Sequence, residues 1–223
     1  MAERSNTRER LIRAASELFW AEGYNRAGVN AIIRRAEATS GSFYHFFPTK
    51  EDLLLAVLAR AEGRIKRLFS PTEFGKIIDP TERLFAGLGV LRQELGRGAA
   101  EFCFPMAALS AELSDTHPRI RDGMASVLRV WVRAIQSLLE EGANGIRNER
   151  DLKTEAHLIF AAVEGAALQA QAFQNLDLFD ESLIRLHVLV RSQPDDAEFS
   201  EGFKGEFEPP VQQENATQDW RSW

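Results

Sequence analysis

Residues 29–53 read VNAIIRRAEATSGSFYHFFPTKEDL, and this stretch decides the fold. Apolar residues recur at helical spacing in 29–36 and again in 40–47, and Glu37-Ala38-Thr39 interrupts the pattern between them. Pro48 ends the second helix, because proline cannot continue a helical hydrogen-bond ladder. Two short helices joined by a tight turn are typical of a helix-turn-helix unit, in which the second helix enters the major groove of DNA.

The flanking segments also have helical patterns. Thr7 to Gly23 predicts a first helix, and Thr49 can cap a fourth helix that runs to about Phe69. After a break at Ser70-Pro71, further helices are predicted at 81–96, 104–114, 118–143, 152–173 and 177–191. No segment alternates apolar and polar residues as a strand does. We therefore predict an all-α fold, with an N-terminal three-helix helix-turn-helix domain and a C-terminal helical ligand-binding and dimerisation domain.

Charge divides the chain into unlike segments. Residues 1–69 carry 12 Lys/Arg against 8 Asp/Glu, a formal +4, whereas residues 70–192 carry −4 and residues 193–223 carry −6. A locally basic module favours DNA, although most charged helix faces are only solvated. We place the domains at 1–50 and 51–192, linked by helix 4. The acidic tail after them is expected to be disordered, unless its spaced aromatic side chains dock.

Composition excludes several classes of protein. The chain has no apolar run of membrane-spanning length and begins with polar residues, so we expect a cytoplasmic protein without a membrane partner. The single cysteine, Cys103, cannot form an internal disulfide, and the four histidines share no ligand spacing. We expect no metal and no cofactor. An enzyme is disfavoured, since no nucleophile–base set, phosphate loop or HExxH motif is present.

The helix predicted at 40–47 presents polar side chains suited to DNA. Two hydroxyls, a glycine that permits close approach and two polar aromatic rings can reach phosphates or base edges; they belong to Ser40, Ser42, Gly41, Tyr44 and His45. Phe43 and Phe47 are expected to face the core. From the spacing alone, a helical hairpin with an aromatic core remains an equal alternative.

Residues 39–53 closely resemble the signature of the TetR family of transcriptional regulators, and the match extends back over 7–36. In that family a small residue and Gly precede Ser or Thr, an apolar residue, Tyr, His and Phe, and Lys-Glu-x-Leu follows. The resemblance implies DNA contacts at Gly28, Asn30, Thr39, Ser40, Gly41, Ser42, Tyr44, His45 and Lys50. Lys50 would bind a phosphate. Glu37 departs from the family, which most often has Gly in this turn, and adds a negative charge near the DNA.

The second half resembles the C-terminal domain of TetR-type repressors that control reductases for electrophiles such as N-ethylmaleimide. The resemblance rests on residues 104–115 and 164–168. In that subgroup a Gly-Cys pair opens the first segment, whereas Cys103-Phe104 places the thiol one residue early. We predict that Cys103 is not the principal sensor, because its neighbours supply no positive charge to stabilise a thiolate. Its closeness to the subgroup position leaves a sensing role as the alternative.

Apolar residues of the second half can line a pocket or fill a solid core. Because the resemblance implies control by a ligand, we predict a pocket for a small apolar or electrophilic effector. Its predicted lining is Phe102, Cys103, Phe104, Met106, Met124, Leu128, Trp131 and Phe160.

The last two predicted helices are rich in small and apolar residues, which either pack within the chain or meet a partner. By resemblance they form a four-helix bundle in a twofold homodimer, as a palindromic operator requires. The implied function is a repressor that an effector releases from its operator. The alternative is a helical ligand-binding or interaction protein that has lost DNA binding.

Overall fold

The computed structural model describes residues 2–70, 73–74, 76–97, 106–113, 115–143 and 149–191. These residues form helices and, within the same ranges, no strand, so the predicted all-α fold is confirmed. In chain order the helices are α1 (Ala2–Glu22), α2 (Val29–Arg35), α3 (Ser40–Phe46), α4 (Lys50–Leu68), α5 (Pro80–Arg97), α6 (Ala107–Leu113), α7 (Pro118–Ala143), α8 (Glu149–Ala172) and α9 (Asp177–Arg191). Among them, no helix combines the length and apolar character needed to cross a membrane.

Predicted and observed helices agree closely along most of the chain. The bounds of α7 and α9 are those predicted, at 118–143 and 177–191. Helix α1 begins at Ala2 rather than Thr7, because the polar residues before Thr7 include no glycine or proline to stop it. The tail at 193–223 lies outside the described residues.

The first three helices pack around the fully buried ring of Phe43. Leu11 and Ile32, also fully buried, share this core, and the Phe47 ring lies 6.2 Å from Phe43 between centroids. Both phenylalanines therefore face inward as predicted. Burial of one such ring stabilises the fold by about 1.5–3 kcal/mol, so these short helices depend on their shared core.

The turn between α2 and α3 contains an unfavourable backbone conformation. Glu37 has φ +48°, in the left-handed region that glycine adopts more readily. The Arg10 guanidinium donates hydrogen bonds to the carbonyls of Ala36 at 2.9 Å and Glu37 at 3.1 Å. Because Arg10 belongs to α1, it fixes this turn against the first helix, and the turn accommodates Glu where the family has Gly.

Helix α4 begins with a capping box. The Thr49 hydroxyl accepts a hydrogen bond from the Asp52 N–H at 3.1 Å, and the Asp52 carboxylate accepts one from the Thr49 N–H at 3.2 Å. The cap predicted at Thr49 is thus present. Seven residues on one side of α4 are buried, namely Leu53, Leu54, Val57, Leu58, Ala61, Ile65 and Leu68. They pack against α1 and α7, so α4 contributes to both halves of the molecule.

Helix α7 lies at the centre of the second half, in contact with α4, α5, α6 and α8. Its Trp131 is fully buried, with the Phe69 ring 5.4 Å and the Phe160 ring 5.9 Å away between centroids. Helix α9 packs against α8 and α5. Two cavities border α7, one beside α4 and α5 and the other beside α8.

Candidate nucleic-acid interface and effector site

The outer face of α3 carries side chains that the sequence predicts as DNA contacts. Tyr44 has 58% of its surface exposed, and Ser40 and His45 are exposed on the same helix. The buried Phe43 ring of the inner face contacts the Tyr44 ring edge-on, with 5.1 Å between the ring centroids. The packing of Phe43 thus holds α3 by its inner face, and the outer face remains accessible to a partner.

Thr39 and Ser42 fix the start of α3. The Thr39 hydroxyl accepts a hydrogen bond from the Ser42 N–H at 3.1 Å and donates one to Ser42 Oγ at 3.0 Å. This cap satisfies a backbone N–H at the start of the helix. A DNA contact by either hydroxyl would use its remaining hydrogen-bonding capacity.

Gly28 and Gly41 are open surface positions. A Cβ added at Gly41 would meet only the Thr39 Oγ1, at 4.0 Å, and one added at Gly28 would meet nothing within 4 Å. Asn30 is exposed two residues after Gly28. Since no neighbouring atom requires glycine at 41, close approach by another molecule is a physical reason for glycine there.

Lys50, the predicted phosphate ligand, is directed toward the turn between α1 and α2. Its Nζ lies 4.4 Å from the centroid of the Tyr24 ring and donates a hydrogen bond to the Asn25 carbonyl at 3.4 Å. Burial lowers the pKa of Lys50, and the Glu112 carboxylate opposes this effect. The Lys50 ammonium is therefore held at this turn by the Tyr24 ring and the Asn25 carbonyl.

Glu112 of α6 binds the same turn from the C-terminal half. Its carboxylate accepts hydrogen bonds from the N–H groups of Tyr24 at 2.9 Å and Asn25 at 2.6 Å. Gly23 has φ +80°, and a Cβ added there would lie 3.0 Å from Glu112 Oε2. Charge-assisted hydrogen bonds thus connect α6 to the N-terminal helices, and the glycine makes room for them.

A second contact joins the same two parts of the molecule. Arg119, in the first turn of α7, donates a hydrogen bond to Asp52 at 3.1 Å and pairs with Glu51 at 3.2 Å. Hydrogen bonds from Thr49 and from Arg119 lower the pKa of the Asp52 carboxyl. Sequence reasoning missed Glu112 and Arg119, because their bonds span 88 and 67 residues and no local pattern marks them.

The residues predicted to line an effector pocket fall into groups. Met106, Met124 and Trp131 are buried in the core and leave little surface for a ligand. Phe102, Cys103 and Phe104 lie outside the described residues. Leu128 and Phe160 are half-buried and remain available to a ligand.

Leu128 and Phe160 line a cavity of about 600 Å³ between α7 and α8, which we call the α7–α8 cavity. Val132 adds to its apolar wall, while Arg133 and Lys153 contribute positive charge. Its volume is within the range of small-molecule sites. Two of the eight predicted residues therefore meet at a cavity.

Helices α8 and α9 leave a set of large apolar side chains exposed. This α8–α9 stripe consists of Leu158, Leu168, Ile184, Val188 and Leu189. Nothing lies within 4 Å of a Cβ added at Gly165, so a second backbone can approach α8 there. The small residues of α8 form two groups. Ala166, Ala167 and Ala170 are buried within the chain. Ala161 and Ala162 are exposed.

Two family profiles match separate parts of the chain. The profile described as "Bacterial regulatory proteins, tetR family" matches residues 11–57, which include α2, α3 and the start of α4. The profile described as "Transcriptional regulator LmrA/YxaF-like, C-terminal domain" matches residues 80–182, from α5 into α9.

Individual proteins are similar over most of the chain. HTH-type transcriptional repressor DhaR of Mycobacterium sp. (strain GP1) is 27% identical, over 81% of this chain and 90% of DhaR. HTH-type transcriptional repressor NemR of Escherichia coli (strain K12) is 25% identical, over 83% of this chain and 94% of NemR. The crystal structure of a TetR transcriptional regulator from Chloroflexus aurantiacus J-10-FL aligns with a TM-score of 0.72 and 25% identity, covering 86% of this chain and 98% of that one.

Gly41→Ala tests whether the surface of α3 is approached closely. We expect the free energy of unfolding to be unchanged or to rise by about 0.5–1 kcal/mol, because alanine favours the helix and has room. DNA affinity should fall about tenfold, or about 1.4 kcal/mol, because the added methyl group separates the surfaces. Urea unfolding and fluorescence anisotropy with labelled DNA measure the two effects.

Gly89→Ala on α5 is the matched control, since a Cβ there also meets nothing within 4 Å. It should leave DNA affinity unchanged. Unchanged affinity in Gly41→Ala as well would show that DNA does not approach this face closely.

Glu112→Ala tests the contact between α6 and the α1–α2 turn. We expect the free energy of unfolding to fall by about 1–3 kcal/mol, because the N–H groups of Tyr24 and Asn25 lose their acceptor. In Glu112→Gln the free energy of unfolding should fall by less, since the amide oxygen still accepts a hydrogen bond. Urea unfolding measures both variants. Asp122→Ala, which removes an exposed carboxylate of α7, should change stability by less than about 0.5 kcal/mol; an equally small effect in Glu112→Ala would contradict the role of this contact.

Proposed function

Because the chain belongs to the TetR family of bacterial regulatory proteins, we propose that it is a dimeric repressor that a small apolar or electrophilic effector releases from a palindromic operator. The chain is a DNA-binding transcriptional regulator, and its relatives DhaR and NemR are named as transcriptional repressors. The observation that carries the proposal is the exposed face of α3, fixed from behind by Phe43. A cytoplasmic location follows from the proposed action on operator DNA.

The proposed DNA surface combines α3 with the start of α2. Tyr44 and His45 contact bases or phosphates, and Gly41 allows the helix to enter the groove closely. Ser40, Ser42 and Thr39 complete the α3 surface, while Gly28 and Asn30 approach the backbone at α2. Lys50 binds a phosphate after exchanging its contact with Tyr24 for one with DNA.

The proposed dimer forms through the α8–α9 stripe. Monomers in solution seldom keep several large apolar side chains exposed on adjacent helices. The open surface at Gly165 permits helices of two copies to pack closely, as in a four-helix bundle. A twofold axis through this contact presents two copies of α3 to the two halves of a palindrome.

Release depends on coupling between the effector site and α3. We place the effector in the α7–α8 cavity, whose apolar wall includes Leu128 and Phe160. Helix α7 also carries Arg119, which binds the first turn of α4. An effector that favours a different position of α7 therefore changes the position of the N-terminal helices, and the two copies of α3 no longer match successive major grooves.

Cys103 is proposed not to be the principal effector sensor, although it lies outside the described residues. The argument is the composition around it, since Phe102 and Phe104 provide no positive charge for a thiolate. Operator release by N-ethylmaleimide in wild type but not in Cys103→Ser would refute this part of the proposal.

Tyr44→Ala tests DNA binding by α3 directly. We expect affinity for DNA from upstream of the protein's own gene to fall by about 1–3 kcal/mol, as when one base contact is lost. The free energy of unfolding should change by less than about 0.5 kcal/mol, because the side chain is exposed. A gel-shift titration at fixed salt concentration measures the affinity, and circular dichroism follows unfolding.

The same titration separates the repressor from a protein that has lost DNA binding. If wild type binds this DNA no better than a random duplex at any salt concentration, the alternative is favoured. If wild type binds specifically but Tyr44→Ala binds equally well, α3 is not the recognition helix.

Leu189→Glu tests the dimer. Placing a carboxylate in the α8–α9 stripe should convert the dimer to a monomer, because an interface does not tolerate a buried unpaired charge. Light scattering after gel filtration measures the mass. Arg121→Glu, on the exposed start of α7, introduces the same group away from the stripe and should remain dimeric. A dimeric Leu189→Glu would place the interface elsewhere.

A further inference from the structure

A second cavity of about 420 Å³ lies between α4, α5 and α7, and we call it the α4–α7 cavity. Its lining includes four basic and two acidic side chains, a formal excess of +2. The basic ones are Lys66, Arg83, Arg129 and Arg133, and the acidic ones are Glu62 and Glu141. Such an excess in a concave site attracts anions.

Arg83 is the buried cation of this cavity. Only 9% of its side chain is exposed, and its guanidinium pairs with Glu141. Its Nε is buried and has no hydrogen-bond partner among the described residues. A buried donor without an acceptor is unfavourable, and Arg83 lines the cavity that an anion would occupy.

Arg129 and Arg133 lie on successive turns of α7 and are exposed at the cavity. Within the part of the chain that the structure describes, neither side chain makes an ion pair or a hydrogen bond. Lys66, in contrast, lies 4.0 Å from Glu62 and is partly neutralised. The two arginines are thus available to a ligand, and their planar groups suit a carboxylate or phosphate.

The rest of the cavity wall consists of four apolar residues and two serines. Phe69 lines it at the end of α4, and Val130, Ala134 and Leu138 line it along α7. An inorganic ion would leave this apolar surface uncovered, whereas an organic anion would contact it. The cavity therefore fits a ligand with two unlike parts.

We propose that the α4–α7 cavity binds a small organic anion, with its carboxylate or phosphate group on Arg83, Arg129 and Arg133 and its apolar body against Phe69. This site is separate from the α7–α8 cavity assigned to the effector, although Arg129 and Arg133 border both cavities. The proposal does not depend on DNA binding and is tested without DNA.

Calorimetric titration of the full chain tests the ligand class with four probes: octanoate, octyl phosphate, octan-1-ol and inorganic phosphate. We expect octanoate or octyl phosphate to bind at least about tenfold more tightly than octan-1-ol, because only the anions pair with arginine. The tighter of the two identifies the anionic group. Equal binding of octan-1-ol, or no binding of either anion, would overturn the proposal, and inorganic phosphate binding as tightly as octyl phosphate would overturn the role of the apolar wall.

Variants locate the site. Arg83→Gln should weaken binding of the preferred anion about tenfold or more. Lys66→Gln alters an exposed residue that borders this cavity alone, so it tests the location even if Arg83→Gln fails to fold. It should weaken binding about threefold, the scale of one solvent-exposed charge. Lys153→Gln, an exposed residue that borders only the other cavity, and Arg121→Gln, outside both cavities, should bind as wild type does. Weaker binding in Lys153→Gln without weaker binding in Lys66→Gln would assign the anion to the α7–α8 cavity and refute the proposal.

Discussion

The continuous helix α4 is the element on which both halves of the molecule depend. Its buried side packs against α1 in the N-terminal core and against α7 in the C-terminal core. The approach of α7 is close, since a Cβ added at Gly123 would lie 3.0 Å from Leu58 and 3.1 Å from Leu55. Displacing α7 along α4 therefore disturbs packed side chains rather than solvent. A movement of one half is thus transmitted to the other half.

Polar contacts complete this connection at the first turn of α4. Arg119 binds the acids that follow the cap, and Glu112 binds the turn beside Lys50. Because the pKa of Asp52 is lowered in the folded chain, its carboxylate stabilises the fold above its ordinary pKa. This contribution is lost as the pH falls through the lowered value. The two halves are thus joined by charged hydrogen bonds and ion pairs near the first turn of α4 and by apolar packing along the rest of this helix.

Local patterns predicted the elements but not the contacts between them. The spacing of Phe43 and Phe47 and the cap at Thr49 were sufficient for α3 and α4, because these features act over one or two turns. The same apolar spacing made Met124 and Trp131 candidates for a pocket, although they fill the core. Periodicity identifies a buried face but not whether a neighbouring helix leaves a gap. Arg83 escaped prediction for a related reason, since its burial depends on α4 and α7.

Fewer positive charges of the N-terminal segment are available to DNA than the sequence suggests. The side chains of Arg10, Arg35 and Arg60 are used within the fold, on the carbonyls of the α2–α3 turn, on Glu17 and on Glu9 respectively. Lys50 lies against Tyr24. Counterion release scales with the number of phosphates that a protein neutralises. We therefore expect the affinity of this chain for DNA to depend less on salt concentration than the formal charge of +4 in residues 1–69 would suggest. If α3 is the recognition helix, as proposed, a larger share of the binding free energy comes from the fit of this helix in the groove, and a protein with a net negative charge can still recognise DNA.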